Sequence, residues 1–281
     1  MDGIIVVDKE KGITSRDVVN SLTHIFNTKK IGHTGTLDPL ATGVLVCTIG
    51  KYTKLNELLT STYKEHIAEM KLGITTDTYD IEGKVLNKNQ NIPSEEKIKK
   101  IILSFKGKYN QEVPIYSSVK VNGKKLYEYA RNNQEVNLPK REVDIKELEI
   151  LEINKDVVKF KTLVSKGTYI RSLINDIGVK LGCGAIMTNL RRTKQGLFKI
   201  EDSCTISDIE NGNYKMINPL KCLEIEQIEI DEYLYKKIKN GCILENRYTG
   251  KLIAFIRNDE LVAIYTIYDK DVNKIKPWKI F

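Results

Sequence analysis

A chain of 281 residues can hold one large domain and a small one. With 41% hydrophobic and 29% charged residues it is not a disordered chain, and no apolar run approaches the roughly 20 residues that span a bilayer. A net charge of +8 favours an anionic partner such as nucleic acid.

In chain order, Gly3 to Asp8 is a short apolar run that predicts a buried strand. Because it starts close to Met1, no signal or transit segment is expected. Ser15 is expected to cap a helix whose apolar positions Val18, Val19, Leu22, Ile25 and Phe26 recur at helical spacing. The stretch Gly32 to Gly43 follows, Gly-His-Thr-Gly-Thr-Leu-Asp-Pro-Leu-Ala-Thr-Gly, with neither strand nor helix periodicity. Its glycines allow close backbone approach, and Asp38 is its only acid, stiffened by Pro39. On chemistry alone Asp38 is a turn or cap residue, a general base or a nucleophile, and Asp before Pro is ordinary turn chemistry. The loop has neither the P-loop spacing nor Gly-x-Gly-x-x-Gly, so no nucleotide cofactor is indicated.

Val44 to Ile49 predicts another buried strand, and Lys51 to Leu59 a short helix with Leu55, Leu58 and Leu59 inward. A strand from Tyr63 to Gly73 precedes a turn over Thr76 to Gly83. Pro93-Ser94-Glu95-Glu96 opens a helix to Phe105. Asn122-Gly123 is a tight-turn signal, with helix expected from Lys124 onward. Between Lys106 and Arg131, basic side chains including Lys120 alternate with Tyr109, Tyr116, Tyr127 and Tyr129, a composition that suits RNA as well as a solvated surface. Strands are expected over Val143–Ile153 and Val157–Val164, then a helix with Ile170, Leu173, Ile174, Ile177 and Leu181 as its apolar stripe. Arg171, in its first turn, is either a surface ion-pair residue or a cation for a carboxylate or phosphate. Leu190-Arg191-Arg192-Thr193 continues the basic run. After Thr205 the pattern shifts to a helix-like segment, an Asn240-Gly241 turn and short alternating strands.

Cys47, Cys183, Cys204, Cys222 and Cys242 are odd in number and form no Cys-x-x-Cys pair, which points to free thiols in a reducing compartment. His24, His33, His66 and the cysteines never cluster at metal-ligand spacing, so no metal is expected.

Four separated blocks resemble, in order, the TruB family of tRNA pseudouridine-55 synthases. They are the Gly32–Leu45 loop, Lys64 to Gly83, Pro114 to Arg131, and Ser165 to Arg171 followed by Gly182 to Thr193. The resemblance implies an α+β fold. A mixed, mainly antiparallel central sheet flanked by helices would occupy residues 1–224, and a small β-rich PUA-like RNA-binding domain residues 225–281. It implies isomerisation of uridine-55 in the T-arm of tRNA, without cofactor or metal, by a cytoplasmic monomer with no obligate protein partner and no membrane association. A uridine in folded RNA must be flipped out to be reached. Asp38 would be the nucleophile, paired with Arg171. Attack at C6 of the base, attack at C1′ and assisted elimination at the sugar all stay open. His33 would brace the gap left by the base, Leu190 would pack against it, and Lys9, Lys64, Tyr116, Lys120 and Arg191 would bind RNA.

Two departures stand out. Glu10 replaces a family proline after Asp8-Lys9, and His66 stands where the family has its tyrosine. Tyr63, an odd number of positions away, would face the opposite side of the strand. Imidazole is planar and ordinarily titrates near 6.5, so His66 is expected to stack under the base and act as general base. Its rivals are an impaired enzyme, a non-catalytic tRNA binder or folding chaperone, and an RNA-guided relative from a ribonucleoprotein.

Overall fold

The computed structural model describes residues 1–60 and 63–281. The chain opens with β1 (Gly3–Lys9), α1 (Ser15–Ile25), β2 (Ile31–His33) and β3 (Thr42–Ile49). A 3-10 turn over Gly50–Leu55 runs into α2 (Asn56–Thr60), followed by β4 (Lys64–Leu72) and the hairpin of β5 (Ile74–Thr76) and β6 (Val85–Lys88). Next come α3 (Glu95–Leu103), β7 (Gly107–Glu112), the hairpin of β8 (Lys120–Val121) and β9 (Lys124–Lys125), and α4 (Leu126–Arg131). The long pair β10 (Lys140–Asn154) and β11 (Val157–Val164) leads to α5 (Ile170–Leu181), β12 (Ala185–Gln195), β13 (Phe198–Lys199) and α6 (Ile206–Glu210). The C-terminal part holds β14 (Glu226–Glu229), α7 (Glu232–Lys239), β15 (Leu244–Glu245), β16 (Leu252–Arg257), β17 (Glu260–Tyr268) and β18 (Asp271–Ile280).

The expected α+β architecture is present. The main sheet runs β1-β3-β12-β4-β11-β10-β7, with β2 added to β3 and β13 to β12; only the β3–β12 pair is parallel. A second sheet, β14-β16-β17-β18-β15, is formed by the C-terminal strands. The first strands explain how the two sheets meet. Ile5, Val7, Leu45 and Cys47 face the core under α1 and α5. Their neighbours Ile4, Val6, Val44 and Val46 face a second core with Ala254, Leu261 and Ile264 of the second sheet. A strand buried on both faces reads as a continuous apolar run, as Gly3 to Asp8 does. Trp278 and Phe281 pack against this second core.

Gly43 shows why the parallel seam needs glycine. It has φ +100°, and a Cβ there would lie 2.2 Å from the Arg192 carbonyl oxygen. That seam joins the Asp38 loop to β12 and fixes one wall of the site.

Two local expectations are corrected. Thr14, not Ser15, caps α1 in a reciprocal box with Asp17, because the buried Ser15 hydroxyl is engaged elsewhere. Lys124 and Lys125 are strand, and α4 begins at Leu126; Asn122 and Gly123, both at positive φ, form the tight turn of that hairpin. The expected Asn240-Gly241 turn is present and ends α7, with Gly241 at positive φ after the helix.

Candidate active site

The Asp38 loop is held on both sides. The Ser15 hydroxyl accepts from the Leu37 N–H at 2.8 Å and donates to the Leu37 carbonyl at 3.1 Å. Pro39 O accepts from Gly12 N–H at 2.8 Å. Ala41 N–H donates to Asp38 O, so Asp38 does start a turn, and its side chain is left pointing into a cavity of about 520 Å³. Lys9 is corrected here. It is fully buried, and its ammonium donates to the carbonyls of Ile13, Glu10 and Pro39. Burial pushes its pKa down to about 8, against the opposing field of Asp38. Lys9 therefore braces the loop and offers no exposed ammonium for direct contact with a bound RNA.

Arg171 gathers three chain segments against α5. Its Nε donates to Asp38 Oδ2 at 2.8 Å and its Nη2 to Asp38 Oδ1 at 3.3 Å, a forked pair. Nη1 donates to Thr78 O at 2.9 Å and lies 3.7 Å from Asp80 Oδ2, while Nη2 also reaches Tyr116 O at 3.1 Å. Arg171 is 5% exposed, whereas the Asp38 side chain is 37% exposed and lines the cavity. The guanidinium is thus buried as a scaffold and the carboxylate is left accessible. Asp80, 6% exposed, was not marked by sequence reasoning as a site residue, although it lies in the turn expected over Thr76 to Gly83.

The opposite wall is the face of β4 and β12. Strand alternation puts Lys64 and His66 on it together, with Arg192 paired across from His66. Tyr63 lies on the other side, its hydroxyl on Asp144 at 2.9 Å, so it cannot stand in for the missing tyrosine. His66 is 5% exposed, lines the cavity, and has no hydrogen-bond partner at Nδ1 among the described residues. Burial, then the charges of Arg192 and Lys64, hold its pKa well below 6.5. Its imidazole is neutral at pH 7. His33 at the rim is pushed down likewise by burial, Arg16 and Arg192.

Arg192 is 2% exposed and donates to Val44 O at 2.6 Å and Gly35 O at 2.9 Å. Among the described residues it makes no ion pair, and burial lowers its pKa to about 9. Sequence reasoning quoted Arg192 without a role; period-two alternation from Leu190 is the signal that places it in the site. Lys64 is brought to about 8 by burial and by the neighbouring Arg192 and Lys166.

Leu190 and Tyr116 also line the cavity. Besides Lys9, two expected RNA contacts do not. Lys120 is exposed on the β8–β9 hairpin, and Arg191, on the far face of β12, is forked onto Asp8 at 2.8 and 3.2 Å. Among the described residues, no group of His, Cys, Asp and Glu side chains could hold a metal ion.

The TruB family pseudouridylate synthase N-terminal domain matches residues 23–170, and the tRNA pseudouridylate synthase B C-terminal domain matches residues 171–224. The chain belongs to the TruB family of pseudouridylate synthases. Among its relatives is the tRNA pseudouridine synthase B of Clostridium acetobutylicum, 45% identical over 96% of this chain and 93% of that protein. That of Oceanobacillus iheyensis is 39% identical over 100% of this chain and 98% of its own. Among solved structures, an H/ACA ribonucleoprotein bound to a substrate RNA containing 2′-deoxyuridine contains a chain that superposes with a TM-score of 0.74. It is 27% identical, covering 99% of this chain and 84% of that one. The TruB family chain described here thus places the Asp38–Arg171 pair and the His66 wall on two sides of one cavity.

Proposed function

We propose that this TruB family enzyme isomerises uridine to pseudouridine in tRNA, and that its target is uridine-55 of the T-arm. The observation that carries this reading is the forked Asp38–Arg171 pair, its carboxylate open to a cavity otherwise rich in cations. The bond between N1 and C1′ breaks, the base turns, C5 bonds to C1′, the C5 proton leaves and N1 gains one. Asp38 serves as nucleophile on a flipped-out uridine. Arg171 fixes which carboxylate oxygen faces the substrate and holds the charge. Leu190 and Tyr116 enclose the base, His33 braces the space it vacates, and Lys64 neutralises backbone phosphate. Lys120 and Arg191 contact RNA outside the cavity.

His66 takes the position of the family's tyrosine. Because it is neutral at pH 7, it can stack on the base and accept the C5 proton without first losing one of its own. The β-rich module from residue 225 onward is a PUA-like accessory RNA-binding domain; the lysines of α7, exposed Lys236 and Lys239 and half-buried Lys237, support this. The protein works as a cytoplasmic monomer, without metal, cofactor or guide RNA. The ribonucleoprotein likeness is at 27% identity, against 45% for a relative named as a tRNA enzyme.

The test is tritium release from a tRNA transcript carrying 5-tritiated uridine. Wild type releases tritium with or without EDTA and without added guide RNA, and Asp38→Ala does not. Salt-sensitive tRNA binding with no release by wild type would leave an RNA-binding protein in place of the enzyme.

A further inference from the structure

We propose that Gln111 is a positioning residue for the reaction, setting Arg171 through the backbone at the start of α5. The inference rests on the reading of Asp38 and Arg171 given above. Tyr169 is the N-cap of α5, and no side chain of its own closes the first turn. Gln111, on the edge strand β7 and 1% exposed, instead holds the N-cap residue itself from outside the helix. Its Oε1 accepts from the Tyr169 N–H at 2.8 Å, and its Nε2 donates to the Tyr169 carbonyl at 3.1 Å. One amide thus grips both ends of the residue that lies two positions before Arg171.

The amide is itself held in one orientation. Nε2 also donates to the Tyr109 hydroxyl at 2.6 Å, which donates on to Asp176 Oδ2 at 3.3 Å. A flipped amide would face the Tyr169 carbonyl with its oxygen and the Tyr169 N–H with its nitrogen, losing both bonds. Asp176 lies further along α5, so strand and helix are tied at two levels. The Tyr169 carbonyl also accepts the first helical bond, from Leu173 N–H at 3.0 Å. A shift of this peptide therefore turns the first turn of α5 as a unit, and Arg171 with it.

Arg171 tolerates little movement. Its three nitrogens are committed to Asp38, Thr78 O and Tyr116 O, which sit on separate segments of chain. A displacement of a few tenths of an ångström at Tyr169 detunes the fork that aims Asp38, while the cavity surface offered to RNA stays the same.

The experiment compares wild type, Gln111→Leu, Arg171→Lys and the double variant by single-turnover tritium release and by tRNA binding. Gln111→Leu should lower the rate about tenfold or more with Kd within about twofold of wild type. In the Arg171→Lys background it should add less than about twofold, because both act through one geometry. A rate within about twofold of wild type, or a full additional loss on top of Arg171→Lys, makes Gln111 a packing residue and overturns the proposal. If Gln111→Leu does not fold, Gln111→Glu, which keeps the acceptor for Tyr169 N–H and lacks the donor, is judged by the same two criteria. A silent wild type overturns the reaction itself, whereas an active wild type with an unaffected Gln111→Leu overturns only the positioning.

Discussion

The two walls of the cavity are built on opposite electrostatic plans. On the α5 wall, one buried guanidinium is matched by the carboxylates of Asp38 and Asp80 and by two carbonyls. On the β4–β12 wall, Arg192 meets only carbonyls among the described residues, Lys64 stands beside it, and His66 is kept neutral by burial and then by both cations. A saturated hydrogen-bond set fixes a carboxylate, since any rotation loses bonds. A wall of cations with a neutral ring suits a ligand that brings negative charge and a flat surface. The first wall positions and the second receives.

Arg171→Lys should have the largest effect of any substitution in the two walls. A point charge on a flexible stem cannot fork onto Asp38 and also serve Thr78 and Tyr116. Activity should fall by on the order of 10³-fold, and stability by about 1–3 kcal/mol for the acceptors left unpaired. Tritium release and urea unfolding measure the two effects. Retention of more than a tenth of the wild-type rate would mean that the fork does not aim Asp38.

The receiving wall is tested by His66→Tyr and His66→Phe, with smaller expected effects. If His66 takes the C5 proton, its acid limb in the pH–rate curve lies well below 6.5 in wild type and is absent in both variants. Superimposable curves for wild type and His66→Tyr would remove the base assignment. Stability gives an independent reading. The folded state holds His66 neutral below its ordinary value of 6.5, so the unfolded chain binds more protons there. The contribution is present above about pH 6.5 and is lost as pH falls towards the depressed native value. His66→Phe should therefore lose less stability than wild type between about pH 6.5 and 5, followed by thermal melts. Equal slopes would mean that the ring is not held neutral.

Much of this was legible in the sequence where local chemistry decides the outcome. The apolar runs became β1 and β3, the stripe from Ile170 to Leu181 became α5, and Lys64 and His66 fell on one face of β4 as alternation requires. The pairing of Asp38 with Arg171, 133 positions away, was legible only through the family resemblance. What escaped was set by tertiary geometry. Ser15 looks like a cap until the Leu37 peptide is placed against it. Lys9 looks like a phosphate ligand until three carbonyls surround its ammonium. Nothing local in Asn-Gln-Glu foretells that Gln111 would hold a helix start.

The neighbouring arginines of β12 restate the comparison at its smallest scale. Arg192 points into the cavity, with its guanidinium buried on carbonyls. Arg191 points away, 41% exposed and forked onto Asp8. If Arg191 meets RNA, it does so as a partly neutralised surface cation, since Asp8 already occupies one edge of its fork. Arg191→Gln should then leave the single-turnover rate unchanged and weaken tRNA binding only a few-fold. The slope of log K against log[salt] should fall by less than about one unit, the loss expected for one unencumbered phosphate contact. Asp8→Asn should act in the opposite direction, freeing the guanidinium, steepening the slope and tightening binding at low salt. If neither substitution moves the salt slope, Arg191 serves only to tie β12 to β1, and the RNA footprint does not extend to that face of the sheet.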